Sequence, residues 1–344
     1  MRQPFRLPHF FCTRATSMPY RMRTNSFAIL VILMNVALAL SGCASSPVLK
    51  DSLDPSNADL IELTDTPFFP QASQQCGPAS LAMLLSAAGK PTEPADLVDE
   101  IFLPKREGTL SIEIIAAARS RGLLPYTIDP KITALWNELN AGRPVLVMQN
   151  LGLSSWPQWH YAVVIGYNAE KNEVTLRSGI TAVKRMSLRA FERTWMLADH
   201  WGLILLPPGT IPGDANLIRY MMAAAGFEAL GNHDAAAAAY AGARRAWPHS
   251  ALPLLGLANI AYTREDWVNA QAWYEQVIAI EPDHAIAYNN LADTLVQRGC
   301  ATDAAHAIEH ALSLTTDATL RAAFEATAQR IHALPPGTHC QIAR

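Results

Sequence analysis

The stretch Gln71-Ala72-Ser73-Gln74-Gln75-Cys76-Gly77-Pro78-Ala79-Ser80-Leu81 decides how this chain is read. A cysteine directly ahead of Gly-Pro and an apolar run stands at the start of a helix, where the missing N–H of proline is no loss. Unsatisfied amide hydrogens and the helix dipole there favour thiolate over thiol, as a cysteine nucleophile requires. A small buried core cysteine is the plainer reading of the same residue, so the thiol needs a partner. That partner is His160, in Trp159-His160-Tyr161-Ala162-Val163-Val164-Ile165-Gly166-Tyr167, which reads as the start of a strand. It is the only histidine between Cys76 and His200. An imidazole within reach would take the thiol proton and leave a thiolate–imidazolium pair.

Around these two segments, residues 61–207 mix helical and strand periods. Apolar spacing predicts helices over Pro78–Ala88, Ala95–Phe102, Ser111–Arg121 and Ile132–Ala141. Strands are expected over Pro144–Gln149, Tyr161–Tyr167, Glu173–Arg177, Ala182–Met186 and Gly202–Leu206. Helices first and strands afterwards argue for an α+β domain. If the second and third strands form a hairpin around Asn168–Asn172, Tyr167 pairs with Glu173. His160 then falls opposite Ile180, with Ser178 as its diagonal neighbour, roughly 7–8 Å away between backbones.

The pair Gln-x4-Cys-Gly-Pro and His-Tyr-x-Val-Val-x-Gly-Tyr, in this order and spacing, resembles the papain-like cysteine peptidases of the double-glycine, bacteriocin-processing type. The likeness runs from Phe68 to Leu206. It implies a papain-like fold, with Cys76 as nucleophile, His160 as base and then acid, and Gln71 as oxyanion donor; Gln74 and Gln75 are rivals for that last role. The family has an Asp on the strand after the histidine strand, and here Ser178 stands in its place. A serine can fix the tautomer of the ring but brings no charge to an imidazolium. The reading is therefore a weaker dyad-plus-serine, a rim residue such as Asp199 folding in, or a silent site. Trp156 and Trp159 either line a substrate cleft or simply pack.

Upstream, Arg2, Arg6, Arg14, Arg21 and Arg23 precede the apolar run Phe27–Leu40, with Met18 and Met22 as alternative starts. This run of 14 residues, broken only by Asn35, is too short to cross a bilayer, which takes about 20, but suits the core of a secretory signal. Leu40-Ser41-Gly42-Cys43 then resembles a bacterial lipobox, which implies that residues 1–42 are a signal and that Cys43 carries lipid. With Ala44 after it, the resemblance implies the outer membrane, its periplasmic face, so the chain is expected in the cell envelope. Residues 43–60 read as a polar tether.

Downstream, Pro207-Pro208-Gly209-Thr210-Ile211-Pro212-Gly213 breaks the pattern, so residues 208–216 read as a linker. Three units of 34 residues follow over 217–318, starting at Leu217, Ala251 and Ala285. Small residues recur at Ala224, Ala258 and Ala292 and at Ala236, Ala270 and Ala304, and aromatics at Tyr240 and Tyr274, with Ile308 in the third unit. This resembles the tetratricopeptide repeat (TPR), an all-α solenoid whose concave face takes a peptide or protein partner. Residues 319–344 supply a capping helix and tail.

His306-Ala307-Ile308-Glu309-His310 matches a zinc-peptidase pattern, but Ile308 belongs to the repeat and too little chain remains for a third ligand, so no metal and no cofactor is expected. Cys12 leaves with the signal, which makes Cys300 and Cys340 an even pair, either a disulfide or two idle thiols. With 27 basic against 30 acidic residues, and only 17% charged, the chain is not a nucleic-acid binder. Members of that family that process leader peptides are often fused to an ATP-driven exporter. The sequence shows no phosphate-binding glycine loop and no membrane bundle, so the resemblance does not by itself carry over cleavage after a double glycine. The expectation is an exported, lipid-anchored cysteine peptidase with a repeat domain for substrate or partner. The alternatives are a non-catalytic binding or assembly module and a related cysteine acyltransferase.

Overall fold

The structure, a computed structural model, describes residues 58–71 and 75–333. Strand β1 (Leu60–Glu62) comes first, followed by helices α1 (Cys76–Ala87), α2 (Ala95–Ile101) and α3 (Ser111–Ser120). Then follow β2 (Leu124–Thr127), α4 (Ile132–Asn140), β3 (Val145–Asn150), β4 (Trp159–Asn168), β5 (Glu173–Ser178), β6 (Thr181–Ser187), α5 (Leu188–Met196) and β7 (Gly202–Leu206). The strands make one antiparallel sheet in the order β2-β7-β3-β4-β5-β6, and β1 pairs with the far end of β4.

Alternation along the strands divides the core into two layers. Leu146, Val163, Ile165, Leu203 and Leu205 face α1, α2 and α3. Val147, Ala162, Val164, Ile204 and Leu206 face the other way, onto α4 and α5. The domain is therefore α+β, as the residue pattern predicts. Three short elements escape that pattern: β1, β2 and α5. Pro125 argues against a strand over 124–127, yet β2 is a sheet edge that pairs only with β7, where a proline is tolerated.

The β4–β5 hairpin corrects the expected register and then restores it. At the turn, Tyr167 pairs with Val174 and Asn168 with Glu173, one residue away from the expected pairing. A bulge between Val164 and Gly166 takes up that residue, so Val163 pairs with Arg177 as the simple hairpin requires. The bulge also turns Tyr167 onto the α4 layer, although Ile165 faces α1. Gly166 permits it. A Cβ there would lie 2.1 Å from the carbonyl oxygen of Ile61, where β1 crosses.

The repeat region comprises α6 (Leu217–Ala229), α7 (His233–Ala246), α8 (Leu252–Thr263), α9 (Trp267–Ile280), α10 (Ala285–Gln297), α11 (Ala301–Leu314) and α12 (Ala318–His332). Asn216, Asn232, Asp266, His284 and Asp317 cap five of these helices through their side chains. The six phased alanines are all 0% exposed, and Tyr240, Tyr274 and Ile308 are buried between helices. Small residues let the paired helices close up, and the large ones fill the remaining gap. Tyr220, Ala224 and Phe227 of α6 share one core with Tyr126 and Ile204 of the sheet. The segment expected as a linker is tied down at its end, where Asn216 N–H donates to the Tyr126 hydroxyl (2.9 Å), and just beyond it Arg219 of α6 pairs with Asp129.

Cys300 is buried and disulfide-bonded, and Cys76 is free. Cys340 and Cys43 lie outside the described residues, as do the signal and most of the tether. No helix among the described residues is long and apolar enough to cross a membrane.

Candidate active site

Cys76 is the first residue of α1. Its neighbour Gly77 has no space for a side chain, because a Cβ would lie 2.5 Å from Thr109. Pro78 has no N–H, so the orphan amide hydrogens of the first turn belong to Cys76 and Gly77. Gln75, the N-cap, makes no side-chain bond to them. They and the dipole give this end of the helix its positive potential.

His160 enters from β4, paired with Gln149 of β3. Cys76 and His160 line the same cleft, of about 810 Å³, with Gln71, Tyr161 and Gly179. The ring is steered from the far side: His160 Nε2 lies 3.0 Å from Ser178 Oγ at the end of β5. Ser178 is 4% exposed and therefore closed to solvent. The tautomer in which Nε2–H donates to Ser178 leaves Nδ1 with the lone pair a base needs. The hairpin bulge makes this contact possible. Without it, β5 would arrive one residue out of step and turn Ser178 to the other face of the sheet.

The electrostatics and hydrogen bonding bear on two expectations. The first is the resting ion pair. Burial, and then the charge of Lys184, bring His160 down to about 4, so the ring is neutral near neutral pH. Lys184 reaches this neighbourhood because β6 pairs it with Leu176 of β5. The second is Gln71. Its Nε2 donates to Ser80 Oγ (3.1 Å) and to the Tyr161 carbonyl (3.3 Å), and its Oε1 accepts from Gly179 N–H (2.9 Å). Both amide hydrogens are thus committed, and Gln71 ties α1 to β4 and to the β5–β6 turn rather than offering a donor to the cleft. Gln74 lies outside the described residues. Asp199 occupies a tight turn at φ 54° before β7 and does not line the cleft.

Residues 63–200 match the model of the Peptidase_C39 like family. The chain carries a C39-like peptidase domain. It is fused to TPR-like helical repeats. A C39-like peptidase structure from Bacillus anthracis is similar over 43% of this chain and 97% of its own, at 17% identity and a TM-score of 0.36. The first TPR of Spaghetti (RPAP3), bound to an HSP90 peptide, is similar over 34% of this chain and 94% of its own, at 14% identity and a TM-score of 0.31. An O-GlcNAc transferase mutant from Thermobaculum terrenum covers 32% of this chain and 22% of its own, at 19% identity and a TM-score of 0.30. No curated protein matches the chain.

Three features of the C39-like site are not legible in the motifs. Lys184 sits on the alternating strand β6, where nothing in the sequence sets it apart from the other residues of that strand. The commitment of Gln71 depends on Ser80, nine residues along, and on Gly179, more than a hundred away. Thr109, lying against Gly77, comes from a loop with no motif. On α11, the His310 ring packs against Tyr288 at 4.4 Å.

Proposed function

We propose that this chain is an exported, lipid-anchored cysteine peptidase that hydrolyses peptide bonds through Cys76 and His160. One observation carries the reading: a free thiol at a helix N-terminus shares a cleft with an imidazole held by Ser178. The nucleophile is generated as it attacks. The Cys76 proton passes to His160 Nδ1 while sulfur bonds to the peptide carbonyl carbon. The C–N bond then breaks, and His160 returns that proton to the departing amine. Water, deprotonated by the same nitrogen, opens the thioester and restores the thiol. The oxyanion meets the backbone N–H of Cys76 and the positive end of α1.

The neutral resting ring supports a slower enzyme than one holding a preformed ion pair. Lipid at Cys43 would keep the domain at the cell envelope, and the repeat surface would hold a peptide or protein partner. Digestion of a labelled peptide library by the wild type and by Cys76→Ala tests the reading: cleavage that depends on Cys76 is expected, and its absence overturns the peptidase. A second reading, a peptide-binding module that does not cut, draws on the Ser178 substitution and on Lys184 beside the ring. Slow iodoacetamide labelling of Cys76 near neutral pH, together with an inert digest, would favour it.

A further inference from the structure

The cleft has one lip that the chemistry above does not use. Between β3 and β4 the chain makes a small stiff hairpin. Leu153 and Trp156 exchange backbone hydrogen bonds, and Leu151 N–H donates to the Gln158 carbonyl (2.9 Å). Asn150, only 1% exposed, accepts from the N–H groups of Gly152 and Gln158, both at 2.9 Å. Gly152 lies so close to Trp156 that a Cβ would come within 2.4 Å of its carbonyl oxygen. This rigid frame presents Leu153, Trp156 and Trp159 to solvent, at 64%, 82% and 54% exposure. Trp159 itself lines the cleft beside His160. On the α1 side, where Thr109 abuts Gly77, Leu110 lines the cleft and is also exposed.

Large apolar groups held rigidly in water do nothing for the fold, but they lower the cost of ordering when a ligand covers them. Because Trp159 lines the same cleft as Cys76 and His160, a peptide that covers this lip also reaches the thiol's cleft. We propose that Trp156 and Trp159 grip a bulky apolar side chain of the peptide substrate, so that the enzyme selects an extended segment with a hydrophobic residue close to the scissile bond. This rests on the peptidase reading for its occupant, and it makes the two tryptophans specificity residues.

Binding is measured in the Cys76→Ala protein, so the outcome does not depend on turnover. The probes are fluorescein-labelled heptapeptides of Gly and Ser with Phe, Leu or Ser at the centre, followed by anisotropy. The Phe and Leu peptides are expected to bind about tenfold more tightly than the Ser peptide, as burial of an aromatic anchor does at other interfaces. Trp156→Ala and Trp159→Ser should each remove that preference and leave the Ser peptide unchanged. Trp156 sits far out on the lip, so its variant keeps the core intact. Equal binding of the three peptides, no binding of any, or a preference that survives both substitutions overturns the proposal. So does loss, in Trp156→Ala, of binding to phosphatidylethanolamine–phosphatidylglycerol vesicles or of a dimer on gel filtration, in place of peptide binding. A library digest with no dependence on Cys76 would remove the peptidase while leaving this binding result to stand by itself.

Discussion

Replacing Ser178 by Asp supplies the charge that the histidine lacks. In the wild type the ring drops from 6.5 to about 4, which at ~1.4 kcal/mol per pH unit is about 3 kcal/mol against the imidazolium. A carboxylate hydrogen-bonded to Nε2 moves such a ring up by roughly one to three pH units. Ser178 is closed to solvent, and the burial cost of the new carboxylate keeps the gain at the lower end. His160 in Ser178→Asp is therefore expected to titrate between about 5 and 6. Nitrogen-15 NMR of the imidazole reads this directly. Iodoacetamide labelling of Cys76 at pH 6 should accelerate by roughly tenfold as the ion pair becomes accessible. Lys184→Gln should raise the ring less, since Lys184 is the smaller of the two causes.

The same shift has a stability consequence of definite sign. The folded ring binds its proton more weakly than the unfolded one, so the unfolded chain gains the proton first as pH falls. The contribution of His160 is whole above about 6.5 and drains away toward about 4, a loss of about 3 kcal/mol that Ser178→Asp should reduce. A wild-type ring titrating near 6.5, or an aspartate variant that leaves it unmoved, would refute the reasoning.

Three further outcomes follow from the packing. Gly166→Ala forces a Cβ onto the Ile61 carbonyl; it should cost about 1–3 kcal/mol and speed amide exchange at Leu63, which donates to Ile165, in chemical denaturation and hydrogen-exchange measurements. Ala258→Leu overfills a fully buried position and should lower stability by about 1–3 kcal/mol, read as a lower urea midpoint. A chain ended at Gly213 loses Tyr220 and Phe227 from the core shared with the sheet; it should bind the dye ANS and aggregate, and an unchanged melting temperature would show that the repeats are dispensable to the peptidase domain.

Where one residue's neighbours in sequence determine its environment, the reading from residues was close. Helix α1 begins two residues before Pro78, at Cys76, and β7 spans the expected Gly202–Leu206. The repeats were legible because the same small and aromatic residues return every 34 positions. Short elements were not. A strand of three residues such as β1 has no period, and its place is set by the gap that Gly166 leaves beside β4. Helix α5 has its apolar residues at Leu188, Phe191 and Trp195, a helical spacing that the surrounding strand pattern obscured.

The candidate Cys76–His160 pair shows the same division. Cys76 and His160 were identifiable from their own segments, since a thiol before Gly-Pro and a histidine opening an apolar strand are local facts. The state of the ring was not. It depends on how deeply the sheet buries it and on which charge β6 brings alongside, and both are set by contacts between distant stretches. The hydrogen bonding of Gln71 was likewise set by the fold, which engages its amide nitrogen with Ser80 and Tyr161. Periodicity and turn chemistry are written along the chain, so the sequence alone determined the α+β domain and the repeats, and it singled out the two candidate site residues. Desolvation, register and the allocation of hydrogen-bond donors are properties of space, and only the tertiary structure decided them.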